Sequence, residues 1–174
     1  FSDASCAIMT RVGTALAKGP AFTLASRAGD AGLHVVGLSP TLAVACYYAT
    51  TCKAVVVAGN NLSFGAALSS TTASDSTSRV VMVKLSATSF VRCFTDAGNG
   101  STAPQLVVCS VLSVAGSTLS SGTEYSLSAG TAQGVEIGIM DMSYSPVHGK
   151  GIVCSSRVDG STRDGFCSIL TIAG

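Results

Sequence analysis

The chain has 174 residues, of which 47% are hydrophobic and only 11% are charged, and its formal net charge is +1. This length suffices for one domain with a buried core, and the apolar composition excludes an intrinsically disordered chain. The near-neutral charge argues against nucleic acid as a partner, and no apolar run reaches the ~20 residues that a membrane-spanning helix needs. Because the sequence starts at Phe1 with neither an initiator methionine nor a signal peptide, we expect a processed chain or an excerpt of a longer one.

One pattern, Cys-x6-Gly-x2-Leu-x2-Gly, recurs along the chain. It occupies residues 6–19, 52–65 and 109–122, and its first half returns at 167–174. Internal repetition of this kind indicates a repeat architecture. We therefore predict a single repeat domain, residues 1–174, made of a partial unit, two full units and a second partial unit, with approximate limits 1–29, 30–76, 77–133 and 134–174.

Each full unit contains four apolar segments of strand length, separated by Gly, Ser, Asn or Pro. We label them a to d: segment a ends in Leu-Ser or Met-Ser, b ends at a first Cys, c starts at a second Cys, and d follows the glycine motif. In chain order the sequence reads c-d, a-b-c-d, a-b-c-d, a-b-c. The segments are short, rich in β-branched residues and lacking the helical period, which predicts strands throughout.

The segment limits follow from these markers. Segment c starts at Cys6, Cys52, Cys109 and Cys167, and segment d is expected at residues 21–24, 66–68 and 124–127. Segment a is expected at residues 34–39, 81–86 and 136–143, and segment b ends at Cys46, Cys93 and Cys154. The nearly continuous apolar runs of a and c predict strands covered on both faces, and the glycines of the motif are expected to supply positive φ in a c–d turn.

The cysteines fall into pairs that bracket the b–c connection: Cys46 with Cys52, Cys93 with Cys109, and Cys154 with Cys167. In an antiparallel hairpin the members of each pair would lie opposite each other, so we predict three disulfides and an unpaired Cys6. Buried free thiols are the alternative, and a zinc site is disfavoured because no close Cys or His cluster is present. Disulfides predict a secreted or extracellular location, and the sequons at Asn61 and Asn99 are possible glycosylation sites.

No constellation of catalytic residues is evident. His34 lies within a strand segment, where a structural role is expected, and His148 lies in an exposed insertion without a nucleophile or metal set around it. The acidic residues are scattered and form no calcium loop. We therefore predict no catalytic residue, no metal, no cofactor and no enzymatic activity.

Two stretches resemble the tandem β-propeller-like repeats of extracellular and tail-associated surface proteins. One is Leu85-Ser-x3-Phe-Val-x-Cys-Phe-x-Asp96 and the other is Gly59-x2-Leu-x-Phe-Gly65. The resemblance implies four-stranded blades and carries over no catalytic residue. We predict an all-β fold of repeated four-stranded antiparallel units, as propeller blades, with a three-fold β-prism or β-trefoil as the alternative.

Two functions are consistent with this sequence. The first is a non-enzymatic extracellular structural or protein-interaction module, a subunit or fragment of a larger surface assembly. Because an unclosed array exposes strand edges, its expected partner is a second copy or another segment of the same repeat protein. The alternative is a lectin that binds glycans at repeated sites built from turn residues, with candidates at Asn60, Asn61, Asp96 and Asn99.

Overall fold

The computed structural model describes residues 3–25, 33–47, 51–70, 80–96, 106–127, 136–159 and 162–172. These residues form strands and turns without an α-helix, so the all-β prediction is confirmed. The strands, in chain order, are β1 (Ala4–Val12), β2 (Ala15–Ala25), β3 (His34–Ser39), β4 (Leu42–Tyr47), β5 (Thr51–Ala58), β6 (Asn61–Phe64), β7 (Leu68–Ser69), β8 (Val80–Lys84), β9 (Ser89–Asp96), β10 (Leu106–Ala115), β11 (Thr118–Ser126), β12 (Glu136–Ser145), β13 (Lys150–Asp159) and β14 (Thr162–Thr171).

The strands form four antiparallel sheets, each made of consecutive strands and none closed on itself. Sheet A contains β1 and β2, sheet B contains β3 to β7, sheet C contains β8 to β11, and sheet D contains β12 to β14. Of the two full units, only the one in sheet C has the predicted four strands, whereas sheets A and D have the two and three strands expected of the partial units. In sheet B the d segment is split into two short strands, β6 and β7, which both pair with β5.

The first glycine of each motif forms a two-residue turn. Gly13, Gly59 and Gly116 have φ values of 62°, 60° and 61°, and each occupies the first central position of a hairpin. Positive φ at this position gives a primed turn, whose twist matches that of the flanking strands. So short a turn leaves the motif's leucine inside the next strand. Segment d therefore begins earlier than predicted, at Ala15, Asn61 and Thr118.

The second glycine of each motif has a different role from the one predicted. Gly19, Gly65 and Gly122 have no positive φ. A Cβ on Gly122 would lie 3.2 Å from the Val111 carbonyl oxygen, at a register shift between β10 and β11. A Cβ on Gly19 would likewise lie close to a carbonyl oxygen of β1, at a register shift between β1 and β2. A Cβ on Gly65 would overlap the backbone of sheet C. These glycines permit close backbone approach rather than a turn.

The sheets stack face to face in chain order through three apolar clusters. The cluster between sheets A and B includes Leu24, Ala45, Tyr47 and Val55. The other two clusters lie between sheets B and C and between sheets C and D, and alternate residues of β9 contribute to each. Phe90 and Phe94 pack toward sheet B, whereas Val91 and Cys93 pack toward sheet D. Sheet C is thus covered on both faces, as the continuous apolar pattern of its segments predicts.

Three intrachain disulfides join b and c strands across opposed positions: Cys46–Cys52, Cys93–Cys109 and Cys154–Cys167. Such bridges indicate an oxidising environment. The first two disulfides each touch a methionine of the next sheet, because Cys46 Sγ lies 3.1 Å from Met82 Sδ and Cys93 Sγ lies 3.6 Å from Met142 Sδ. Nowhere in the described ranges does a helix have the length and hydropathy needed to cross a bilayer.

Candidate functional site

An apolar cavity of about 530 Å³ lies between sheets C and D. Its walls come from β10, β11 and β14, with Val111, Leu127 and Leu170 among the lining side chains. Tyr125 and Ile169 also line it and are largely exposed to solvent. The volume falls within the range of roughly 300–1,000 Å³ that is usual for ligand pockets.

The chemistry of the cavity is that of a binding surface. Its polar side chains are hydroxyls, contributed by Ser110, Ser126, Thr171 and the rim residue Tyr125. No Asp, Glu, His, Lys or Arg is among the described residues that line it. The lining therefore offers apolar contact with a few hydrogen bonds for orientation.

The strand β14 forms one wall of the cavity and the edge of sheet D. It pairs with β13 on one side, and no described strand pairs with its other side. The equivalent c strands β1, β5 and β10 each pair with a d strand at that position. The free edge of β14 consequently presents main-chain N–H and C=O groups next to an apolar cavity.

A charged network lies between sheets B and C. The Arg92 side chain is 1% exposed and donates hydrogen bonds to Ser110 Oγ at 3.5 Å and to Glu124 Oε1 at 3.2 Å. Its guanidinium also lies 4.8 Å from the Phe94 ring centroid. Glu124 accepts a second hydrogen bond from Ser70, the residue after β7, so the carboxylate links sheet C to the end of sheet B. Burial lowers the pKa of Arg92, and the charge of Glu124 opposes that shift.

His34 is the one histidine within a strand. It lies half-buried in β3, and its Nδ1 atom is buried without a hydrogen-bond partner in the structure. Burial lowers the pKa of His34, because desolvation disfavours the imidazolium, while the charge of Asp141 on β12 acts in the opposite direction. His148 is exposed in the turn between β12 and β13.

We predict that His34 makes the protein less stable in mild acid. With a lowered pKa in the folded state, His34 binds a proton more readily when unfolded, so the free energy of unfolding falls as the pH drops through about 6.5, the ordinary histidine value. His34→Gln should flatten this decline, as measured by urea denaturation across that pH range. His148→Gln is the matched control and should retain the decline. An unchanged pH profile in His34→Gln would contradict the prediction.

Two of the remaining predicted site residues lie away from the cavity. Asn60 and Asn61 are exposed at the β5–β6 turn, and neither lines the cavity. Asp96 is the last residue of β9. Asn99 lies outside the described residues. Cys6 forms no disulfide and is half-buried, and burial raises the pKa of its thiol. Within the ranges described above, His, Cys, Asp and Glu form no group of three or more that could hold a metal ion.

Comparisons with protein-family models, with curated proteins and with solved structures gave no match to this chain. Sequence reasoning missed Arg92, Glu124 and Tyr125. The only signal for the first was a single charge inside the apolar b segment at residues 89–94. For the other two, assignment to a d strand gave no indication of which side chain would be buried.

Proposed function

We propose that the protein is a non-enzymatic structural module of an extracellular surface that assembles with other copies through its outermost sheets. For each sheet, the following face is the one toward the next sheet in the stack, and the preceding face is the one toward the sheet before. Among the described residues, no sheet covers the preceding face of sheet A or the following face of sheet D. The proposal rests on the apolar side chains that these two open faces expose.

Equivalent residues on the following faces differ in exposure according to whether a sheet covers them. Val44, Val91 and Ile152 each lie two residues before the first cysteine of their sheet. Val44 and Val91 are 0% and 2% exposed, beneath the next sheet, whereas Ile152 on sheet D is 50% exposed. The adjacent Cys154–Cys167 disulfide is also more exposed than its two counterparts. Sheet D therefore presents the surface that sheets B and C use for stacking.

The preceding faces follow the same rule. Leu119, the motif leucine of sheet C, is 8% exposed against sheet B, and Leu62 of sheet B packs against sheet A. Leu16, the equivalent residue of sheet A, is 69% exposed. Apolar surface of this kind favours burial in an interface. Because the two open faces are the two halves of one repeated interface, we expect a head-to-tail contact between copies.

The test is the concentration dependence of the mass in solution, measured by sedimentation velocity. The wild-type protein should associate as its concentration rises, and Ile152→Glu and Leu16→Glu should each remain monomeric. Val147→Glu is the matched control, because Val147 is 86% exposed and lies in the turn between β12 and β13, outside the strands that form the two faces. Self-association that survives both face variants would contradict the proposal, as would a monomeric wild-type protein.

Mixing the two variants gives a sharper result. The Ile152→Glu protein keeps an intact sheet A face, and the Leu16→Glu protein keeps an intact sheet D face. Together they can form one head-to-tail contact but no longer chain of copies. We expect a 1:1 dimer in the mixture and none in either variant alone. A mixture that stays monomeric would contradict the head-to-tail arrangement.

We further propose that the sheets are blades of a propeller-like array. The first strands of sheets B, C and D lie together, because β3 contacts β8 and β8 contacts β12. The charge of Asp141 on β12 also acts on His34 of β3, two sheets away. First strands that gather together are expected where blades fan out from a common axis. The three disulfides support the extracellular location included in this proposal.

A lectin is the second candidate function. The observation that favours it is the cavity, which is lined by the exposed Tyr125 together with Ser126 and Thr171. An aromatic ring combines an apolar face with a polar end, which suits an amphipathic ligand such as a sugar. A glycan array distinguishes the candidates: binding that is lost in Tyr125→Ala supports the lectin, and absence of binding supports the structural module.

A further inference from the structure

One edge of β14, with which no strand in the described part of the chain pairs, lies next to the cavity, and the sequence of β14 repeats that of a strand with a partner at this edge. Residues 167–172 read Cys-Ser-Ile-Leu-Thr-Ile, and residues 109–114 of β10 read Cys-Ser-Val-Leu-Ser-Val. The second edge of β10 pairs with β11. Because the two sequences match position by position in size and polarity, a strand that fits β10 should also fit β14.

The strands that pair with c strands in this chain share a pattern of their own. It is Leu-x2-Gly-x2 followed by Phe, Leu or Tyr, and it occurs at residues 16–22, 62–68 and 119–125. We propose that the free edge of β14 is an acceptor site for an extended polypeptide segment that carries this pattern. The inference rests on the proposed role as an interaction module and specifies the chemistry of one partner.

Each position of the pattern has a physical role in the existing sheets. Phe22, Leu68 and Tyr125 each lie directly opposite the cysteine that opens the c strand. At Gly19 and Gly122 a Cβ would lie 3.3 and 3.2 Å from a c-strand carbonyl oxygen, that of Ile8 and Val111 respectively. The leucine points toward the preceding sheet, as the burial of Leu119 between sheets B and C illustrates.

The same register places the accepted segment over the cavity. Leu119 pairs with Val114, whose counterpart on β14 is Ile172, so the incoming leucine would lie opposite a residue that lines the cavity. Its side chain would point toward sheet C and fill the apolar space, and the aromatic residue would lie opposite Cys167. Main-chain hydrogen bonds to the edge would supply affinity, and the two apolar side chains would supply specificity.

The probe is a labelled synthetic peptide with the sequence of residues 117–127, titrated with the full chain and followed by fluorescence anisotropy. A scrambled peptide of the same composition should not bind. A peptide with Gly122→Ala should bind about tenfold more weakly or worse, because its added methyl group would crowd the carbonyl oxygen of Ile169, the counterpart of Val111. Equal binding of the scrambled or the Gly122→Ala peptide would overturn the proposal, as would no binding of the parent peptide.

Two further measurements locate the contact. Hydrogen exchange should slow at amides of residues 167–172 when the peptide binds, and protection confined to any other strand would overturn the proposal. Peptides that are N-methylated at alternate residues should divide into one series that binds and one that does not, since only one edge of an added strand pairs with β14. If both series of N-methylated peptides bind, the proposal is also overturned. Head-to-tail association is measured separately, so a failed peptide test leaves the proposed function standing.

Discussion

The double variant Cys93→Ala, Cys109→Ala should lower the free energy of unfolding by about 4–5 kcal/mol. Of this, about 3 kcal/mol comes from the added freedom of the unfolded chain, given the sequence separation of 16 residues. The remainder comes from two buried sulfur atoms lost from the cluster between sheets C and D, at about 0.8 kcal/mol for each group of methylene size. Denaturation in guanidinium chloride gives the measurement.

The matched control is Cys154→Ala, Cys167→Ala. Its disulfide closes a loop of similar length, with a separation of 13 residues, but lies on the open face of sheet D. The free energy of unfolding should therefore fall only by about the chain-entropy contribution, about 3 kcal/mol. Equal losses in the two double variants would contradict the view that the Cys93–Cys109 bridge also serves as core packing.

Removing the charge of Glu124 should destabilise the contact between sheets B and C. Glu124→Gln leaves the buried Arg92 guanidinium without its carboxylate counter-charge, and breaking a buried pair in this way costs about 3 kcal/mol. Arg92→Met in the Glu124→Gln background should restore most of that loss, because an apolar side chain fits the cluster formed with Phe90 and Phe94.

Chemical denaturation of the single and double variants tests this expectation. Asp164→Asn is the control for removal of an exposed carboxylate, and its effect should stay within about 0.5 kcal/mol. The decisive observation is a rescue larger than the effect of Arg92→Met alone, since that excess cannot arise if Glu124→Gln acts only through its own lost contacts. A double variant that is less stable than Glu124→Gln would contradict the assigned role of the pair.

The sequence was most informative where the contacts are local. The cysteine pairs could be predicted because b and c strands follow each other along the chain, and a hairpin places the members of each pair in opposed positions. The turn glycines Gly13, Gly59 and Gly116 could be predicted for the same reason. The predicted start of strand d was wrong because the second glycine was assigned to the turn, whereas it permits close approach of another backbone, that of the neighbouring strand at Gly19 and Gly122 and that of sheet C at Gly65.

The amino-acid pattern by itself therefore determined an all-β chain of repeated hairpins and the three disulfides, each within one hairpin. Only the tertiary structure decided which equivalent residues are buried, because the burial of Val91 and the exposure of Ile152 depend on whether another sheet covers that face. It also decided that Arg92 meets Glu124, since these residues lie two strands apart and come together through strand register. Contacts between sheets depend on stacking, and hairpin periodicity contains no information about stacking.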